Sequence, residues 1–370
     1  MKTIGAVTIL VAAVGLGAFG GYRLAATPGQ AGTALSWHMA GSNAASPTAP
    51  APPDFRQAAK RIMPSVVSVD RLERIQDFWT DQVSVTPTAT GSGVIVSSDG
   101  YILTNNHVVE QADSVQVRLA DQRQFQAKVV GTDPRSDIAV IKIDAPNLVP
   151  AEIGSSSKLE VGEWVLAVGN PLGYANTVSA GVVSSLKRTL STNENALLID
   201  TIQTDAAINQ GNSGGALADA QGRLVGINSA IATQNGGSVG IGFAIPIDRA
   251  RRVADEIVKY GRARYGELGV EIFARPGLLQ SDTVRQEISE RVGAMPPSTG
   301  VIVRQVDPGS AASQAGIEPL DVLLEIDGKS LPDPFSYMIA MADKRPNEHV
   351  QIAYWSKGKR KTAEVVLQDQ

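Results

Sequence analysis

Cysteine is absent from the 370 residues. Its absence excludes disulfide staples, thiolate nucleophiles, Cys-ligated zinc, iron–sulfur clusters and a Cys-linked lipid anchor. Histidine is almost as scarce. There are three, His38, His107 and His349, so an imidazole base must come from a very short list. Charge is limited to 19% of residues, with 33 Lys and Arg against 37 Asp and Glu, a net −4. No basic excess is left to hold nucleic acid. What is present is an ordinary 43% of hydrophobic residues, which excludes both a wholly disordered chain and a polytopic membrane protein. The length exceeds one ordinary core and calls for two folded units plus extras. No residue pattern calls for a metal or a cofactor.

After Met1-Lys2, residues 3–22 carry no charge and are rich in Ala, Val, Gly, Leu and Ile. The run is long enough for a membrane-spanning helix. A secretory signal cut near Leu24-Ala25-Ala26 is the alternative reading. Residues 1–26 are therefore an anchor or signal, and either one exports the rest. Residues 27–54, built from Ala, Pro, Ser, Thr and Gly, read as a linker too poor in apolar surface to order itself. His38 lies within it and is remote from any chemistry. A short helix is expected from Phe55 to Ile62, ended by Pro64.

From Ser65 to Ile247 short β runs alternate with Gly, Asp and Asn turns: Val66–Val69, Gly93–Val96, Val115–Leu119, Ile138–Ile143, Trp164–Val168, Val178–Ser184 and Leu224–Ile227. Many short strands with few helical periods point to antiparallel barrels or a sandwich. Residues 247–260 then show helical spacing, with Gly261 as C-cap. A second β-rich unit follows, with strands near 301–303, 322–326, 350–354 and 363–367 and a helix near 335–342. The polar, partly helical stretch 276–298 has the look of an insertion.

Three short motifs carry chemistry. Gly211-Asn212-Ser213-Gly214-Gly215 can present a hydroxyl on a tight turn whose N–H groups converge. Asn105-Asn106-His107 follows the apolar run Tyr101-Ile102-Leu103. Asp137 directly precedes the run from Ile138. Taken singly, these are a turn, a structural histidine and a cap. Taken together, a serine needs a base, and the base's imidazole needs an acceptor for its second N–H. The order His107, Asp137, Ser213 is that of chymotrypsin-like double barrels. The break between barrels falls near 150–160.

Longer stretches surround these residues: GSGVIVSSDGYILTNNHVV (91–109), DPRSDIAVIKI (133–143), VGNPLG (168–173), SAGVVSS (179–185), QTDAAINQGNSGGAL (203–217) and GIGFAIP (240–246). With them the chain resembles the HtrA/Deg family of exported serine proteases. The resemblance implies a mainly β fold: a trypsin-like double barrel over 55–260, one PDZ domain over 265–370 and an N-terminal anchor helix. It implies His107 as base, Asp137 as its orienter, Ser213 as nucleophile, and the N–H groups of Gly211 and Ser213 as oxyanion hole. Ala207, with Ile208 beside it, stands where trypsin-like enzymes keep the acid that selects Lys or Arg, so cleavage is expected after small aliphatic residues.

Gly300-Val301-Ile302-Val303 and residues 306–331 resemble the PDZ domains of these proteases. A PDZ domain binds a C-terminal peptide by strand addition and captures its carboxylate in a backbone nest. Here the nest is expected at Glu267-Leu268-Gly269-Val270, with Glu267 departing from the aromatic or apolar residue usual in the family. One anchor, one protease and one PDZ unit is the layout of the membrane-anchored, stress-sensing branch. That branch implies a bacterial inner-membrane protein with its domains in the periplasm, a homotrimer, and a substrate that is unfolded or a membrane-bound regulator. A general quality-control protease, or a PDZ binding module with a dormant triad, are the alternatives. The short loop expected between Arg71 and Thr90 fits that branch. Residues 186–195 are expected to be a switch loop, with Arg188 relaying PDZ occupancy to the active site.

Overall fold

The computed structural model describes residues 54–76, 83–170, 176–191, 197–209, 211–231 and 240–369. The anchor or signal, nearly all of the linker and the tip of the expected switch loop lie outside these residues. Among those described, no helix is long and apolar enough to cross a membrane.

Helix α1 (Arg56–Ile62) runs into a single 3-10 turn at Met63–Ser65, where Pro64 cannot continue the helix ladder. Six strands follow: β1 (Val66–Gln76), β2 (Val83–Ile95), β3 (Tyr101–Thr104), β4 (Ser114–Arg118), β5 (Gln124–Asp133) and β6 (Ile138–Lys142). The short helix α2 (Asn106–Val109) interrupts them after β3. They close as a barrel in the order β1-β2-β3-β6-β5-β4. A second barrel, β10-β11-β12-β9-β8-β7, is built from β7 (Trp164–Gly169), β8 (Thr177–Ser191), β9 (Leu197–Thr204), β10 (Ala216–Asp219), β11 (Leu224–Ile231) and β12 (Gly242–Pro246).

Side-chain alternation explains why β6 reads as an unbroken apolar run. Ala139 and Ile141 fill the first barrel. Ile138 and Val140 point the other way, into the core shared by both barrels and helix α3 (Ile247–Tyr260). Helix α3 buries Ile247, Ala250, Val253 and Ile257 on one stripe. It ends at Gly261, whose left-handed backbone (φ 79°) lets its N–H reach the Ile257 carbonyl at 2.8 Å.

Two expected loops are strands instead. Residues 71–76 and 83–90 continue the β1–β2 hairpin, pairing from Arg71 with Ala89 out to Gln76 with Val83. Residues 186–191, expected to be part of a loop, extend β8 and pair with β9, Arg188 opposite Thr201. Repeated register shifts along this hairpin, with Lys187 at φ 58°, let so polar a segment pair while twisting.

The C-terminal unit begins with β13 (Gly266–Glu267) and β14 (Val270–Ile272). Helix α4 (Asp282–Val292) follows, then β15 (Val301–Val306), α5 (Ala311–Gln314), β16 (Val322–Ile326) and β17 (Lys329–Ser330). Helix α6 (Pro334–Met341), β18 (His349–Ser356), β19 (Lys359–Val366) and β20 (Gln368–Asp369) complete it. The sheet runs β14-β15-β16-β18-β19, so among the described residues β14 is an edge strand bonded only to β15. One sheet face packs Val301, Val303, Leu323 and Ile352. The inserted stretch covers the other through Leu279 and Ile288 on Ile302, Val322 and Trp355. Helix α6 starts sharply because Asp333 and Ser336 form a reciprocal capping box ahead of Pro334.

Candidate active site

The first barrel holds His107 and Asp137 on adjacent loops. Strand β3 is buried up to Thr104, and the chain then turns into α2, bringing up His107. The Asp137 carbonyl accepts from the Asn106 N–H at 3.2 Å and from Asn105 Nδ2 at 3.0 Å, which ties the two loops together. Asp137 has φ 54°, a left-handed conformation that an aspartate tolerates better than most side chains.

Its carboxylate gathers three donors. These are His107 Nδ1 at 2.9 and 3.0 Å, the His107 backbone N–H at 3.1 Å, and Ser229 Oγ at 2.8 Å. An ionised carboxylate only accepts, so Nδ1 carries the proton and Nε2 is left with its lone pair. The Asp137 side chain is 10% exposed and that of His107 34%, so the acid is sheltered and the ring reaches solvent.

The second barrel supplies Ser213. Its hydroxyl donates to the Ser229 carbonyl at 3.0 Å, so Ser229 touches both the acid and the hydroxyl. The turn around it leaves no room for a side chain at Gly214. A Cβ there would lie 2.1 Å from the Ser92 carbonyl, and the backbone sits at φ 82°. Ser92 of the first barrel binds this turn twice, by its N–H to the Ser213 carbonyl at 2.8 Å and by its hydroxyl to the Gly211 carbonyl at 2.5 Å. The Asn170 N–H in turn donates to Ser92 Oγ at 2.8 Å. Among the described residues, the N–H groups of Gly211 and Ser213 donate to no acceptor. Two free N–H groups beside an exposed-edge hydroxyl and an imidazole are the parts that acyl transfer requires.

Ala207 is half-buried, and its carbonyl accepts from Ser179 Oγ at 2.7 Å. Ile208 is fully buried in the core of the second barrel. A Cβ added to Gly242 would come within 2.8 Å of its side chain. Arg188 is exposed and forms no ion pair among the described residues. Sequence reasoning missed Ser229, Ser92 and Asn105. The last two stand inside quoted stretches without any signal of their own, and Ser229 is brought in only by barrel closure.

In the C-terminal unit, Glu267, Leu268, Gly269 and Val270 line a cleft of about 500 Å³ together with Tyr337, Met338 and Met341 of α6. Gly269 is at φ 73°, and a Cβ there would meet Ser310 Cβ at 2.2 Å. The N–H groups of Leu268 and Gly269 donate to nothing among the described residues, while their carbonyls accept from Ala312 and Asp307.

Residues 91–227 match the trypsin-like peptidase domain and residues 266–367 the PDZ domain. The solved HtrA-type protease AlgW with decapeptide is 35% identical with a TM-score of 0.69, over 86% of this chain and 99% of that one. The chain belongs to the HtrA family of serine proteases. The serine endoprotease of Yersinia pestis shares the fold of this HtrA chain at 31% identity and a TM-score of 0.60, over 86% and 99% of the two chains. Two curated HtrA relatives carry the name probable periplasmic serine endoprotease DegP-like. That of Pseudomonas putida (strain F1) is 40% identical over 314 residues, 85% of this chain and 61% of that one. That of Bartonella henselae is 38% identical over 314 residues, 85% and 58%. The chain thus spans only part of the length of the curated relatives it matches.

Proposed function

We propose that this chain is an exported serine endopeptidase whose 55–260 segment cuts polypeptides and whose 265–370 segment reads their C-termini. The observation that carries the reading is the convergence of His107, Asp137 and Ser213 from two barrels, with Ser229 between them. Ser213 Oγ attacks the scissile carbonyl carbon and passes its proton to His107 Nε2. The resulting imidazolium is held by Asp137 and hands the proton to the leaving amine, and water repeats the sequence to release the acyl group. The N–H groups of Gly211 and Ser213 hold the developing oxyanion. Ala207, with the core residue Ile208 behind it, leaves the specificity pocket without an acid, which favours small aliphatic side chains before the cut.

The cleft at 267–270 supports a C-terminal peptide added to the free edge of β14. AlgW, solved with a decapeptide and with a tripeptide, favours the same reading. In this account peptide binding raises proteolysis, with Arg188 on the β8–β9 hairpin as relay. The chain works in envelope-stress signalling as a periplasmic homotrimer held to the inner membrane by residues 1–26. The relatives' DegP-like name favours one second reading, a general periplasmic quality-control protease. The test is digestion of reduced, unfolded casein by wild type and Ser213→Ala. The wild type cuts and the variant does not. Equal cutting by both, with contaminants excluded, removes the proposal. Whether the mature chain keeps residues 1–26 separates the tethered reading from the second.

A further inference from the structure

The cleft at the carboxylate loop is not walled by the PDZ unit alone. Arg135, from the β5–β6 loop of the first barrel, also lines it. Its guanidinium lies 4.3 Å from the centre of the Tyr265 ring. That ring is fixed from below, because the Tyr265 hydroxyl donates to Asp133 at 2.5 Å. Burial and the Asp133 charge push this phenol's pKa up, so it stays a donor.

Arg135 is the odd member of a crowded basic junction. Arg249 and Arg252 bind Asp343, and Arg345 binds Glu256. Arg135 has no carboxylate within ion-pair distance among the described residues, and its one hydrogen bond is a long 3.4 Å contact to the Met341 carbonyl. A half-buried guanidinium with most of its donors unused is costly unless something anionic completes it. Met341 ends α6 and lines the same cleft as Leu268 and Gly269, and Arg135, bonded to its carbonyl, shares that cleft with the loop. Leu268 and Gly269, whose N–H groups donate to nothing among the described residues, line that cleft with Arg135. Glu267 lines the cleft too, and its charge opposes an incoming anion. A cation supplied from outside the loop offsets it.

We infer that the carboxylate site is bipartite. The Leu268 and Gly269 N–H groups come from the PDZ unit, and the Arg135 guanidinium comes from the protease. The occupant is the free C-terminal carboxylate of a polypeptide ending in an apolar side chain, which Leu268, Val270 and Met341 receive. This rests on the peptide-binding reading above. Arg135 lies two residues ahead of Asp137, so an occupant of this site touches the loop that holds the active-site acid.

The test uses the full chain in a Ser213→Ala background, so that the probe survives. A fluorescein-labelled peptide ending in Leu-Val, as free acid and as C-terminal amide, is titrated by anisotropy into the Arg135 chain, Arg135→Ala and Arg135→Lys. The free acid binds the Arg135 chain at least tenfold more tightly than the amide. Arg135→Ala weakens the acid about 10- to 100-fold, as loss of a charge-assisted contact should, and the amide less than threefold. Arg135→Lys falls between, and its melting temperature matches the parent's. If Arg135→Ala weakens acid and amide alike, or leaves the acid's affinity unchanged, Arg135 is only a stacking residue and the inference falls while the loop reading stands. If acid and amide bind the Arg135 chain equally, or neither binds, the loop reading itself fails.

Discussion

Replacing Asp137 by Asn probes the logic of the site with almost no change in shape. The carboxylate takes three donors on two oxygens: the His107 ring, the His107 N–H and the Ser229 hydroxyl. An amide offers one oxygen and presents an NH₂ group in place of the other. If the NH₂ faces His107, Nδ1 must become the acceptor and the ring proton moves to Nε2, so the ring can no longer take the Ser213 proton. If it faces Ser229, the Ser229 hydroxyl that donates to the acid must turn away, disturbing the residue whose carbonyl accepts from Ser213. In either case the rate of acylation should fall about 10⁴-fold, the scale found when a triad acid loses its acceptor role. Stability should fall by no more than about 1–3 kcal/mol, the cost of one mismatched polar group. The assay is kcat/KM on an unfolded protein substrate, with thermal melting alongside. A folded Asp137→Asn protein working within tenfold of wild type would refute the tautomer argument.

Ser229→Ala removes one donor from Asp137 but leaves the carbonyl that faces Ser213, so kcat should drop about 10- to 100-fold with KM unchanged. Ile257→Ala empties a fully buried site where α3 meets both barrels, and should cost about 2–5 kcal/mol in denaturant unfolding without altering the active-site geometry. Asp343 gives a pH-dependent difference. Burial pushes its carboxyl up, but Arg249 and Arg252 outweigh that and hold it below the ordinary Asp range. A lowered folded pKa means that its stabilisation is present above the unfolded value, about 3.9, and is lost as the pH falls through the folded one. With the side chain 42% exposed, the contribution is at most about 1 kcal/mol. The melting temperature of Asp343→Asn should therefore lie slightly below wild type at pH 7, and the gap should close as the pH falls below 4.

The sequence displays its candidate site better than its edges. That His107, Asp137 and Ser213 would be gathered, as they are through Ser229, was legible because a strand end, a loop acid and a glycine turn each sit beside a buried run, and their order matches a known barrel plan. Strand β6 was legible because both of its faces are buried, so nothing interrupts the apolar run. The β8–β9 extension was not. Its residues are polar and its pairing survives through register shifts, which leave no alternation to read. The outer part of the β1–β2 hairpin failed for a similar reason, since Pro87 and the threonines around it read as turn residues. Ser229 and Arg135 were invisible in another way. Each acts on a partner far along the chain: Ser229 on Asp137, 92 residues away, and Arg135 on Met341, 206 away. Only closure of the barrels and docking of the PDZ unit creates those contacts.

The central claim is that Ser213 is an activated nucleophile, and a fluorophosphonate probe reads this without assuming a substrate. Ser213 Oγ should displace fluoride from the probe's phosphorus, its proton passing to His107, to leave one P–O adduct mapped by mass spectrometry of the tryptic peptides. Labelling should be lost in Ser213→Ala and strongly slowed in His107→Ala. Labelling that stays absent from the intact protein, with or without added C-terminal peptides, or that lands on another serine while Ser213 remains free, would contradict the account.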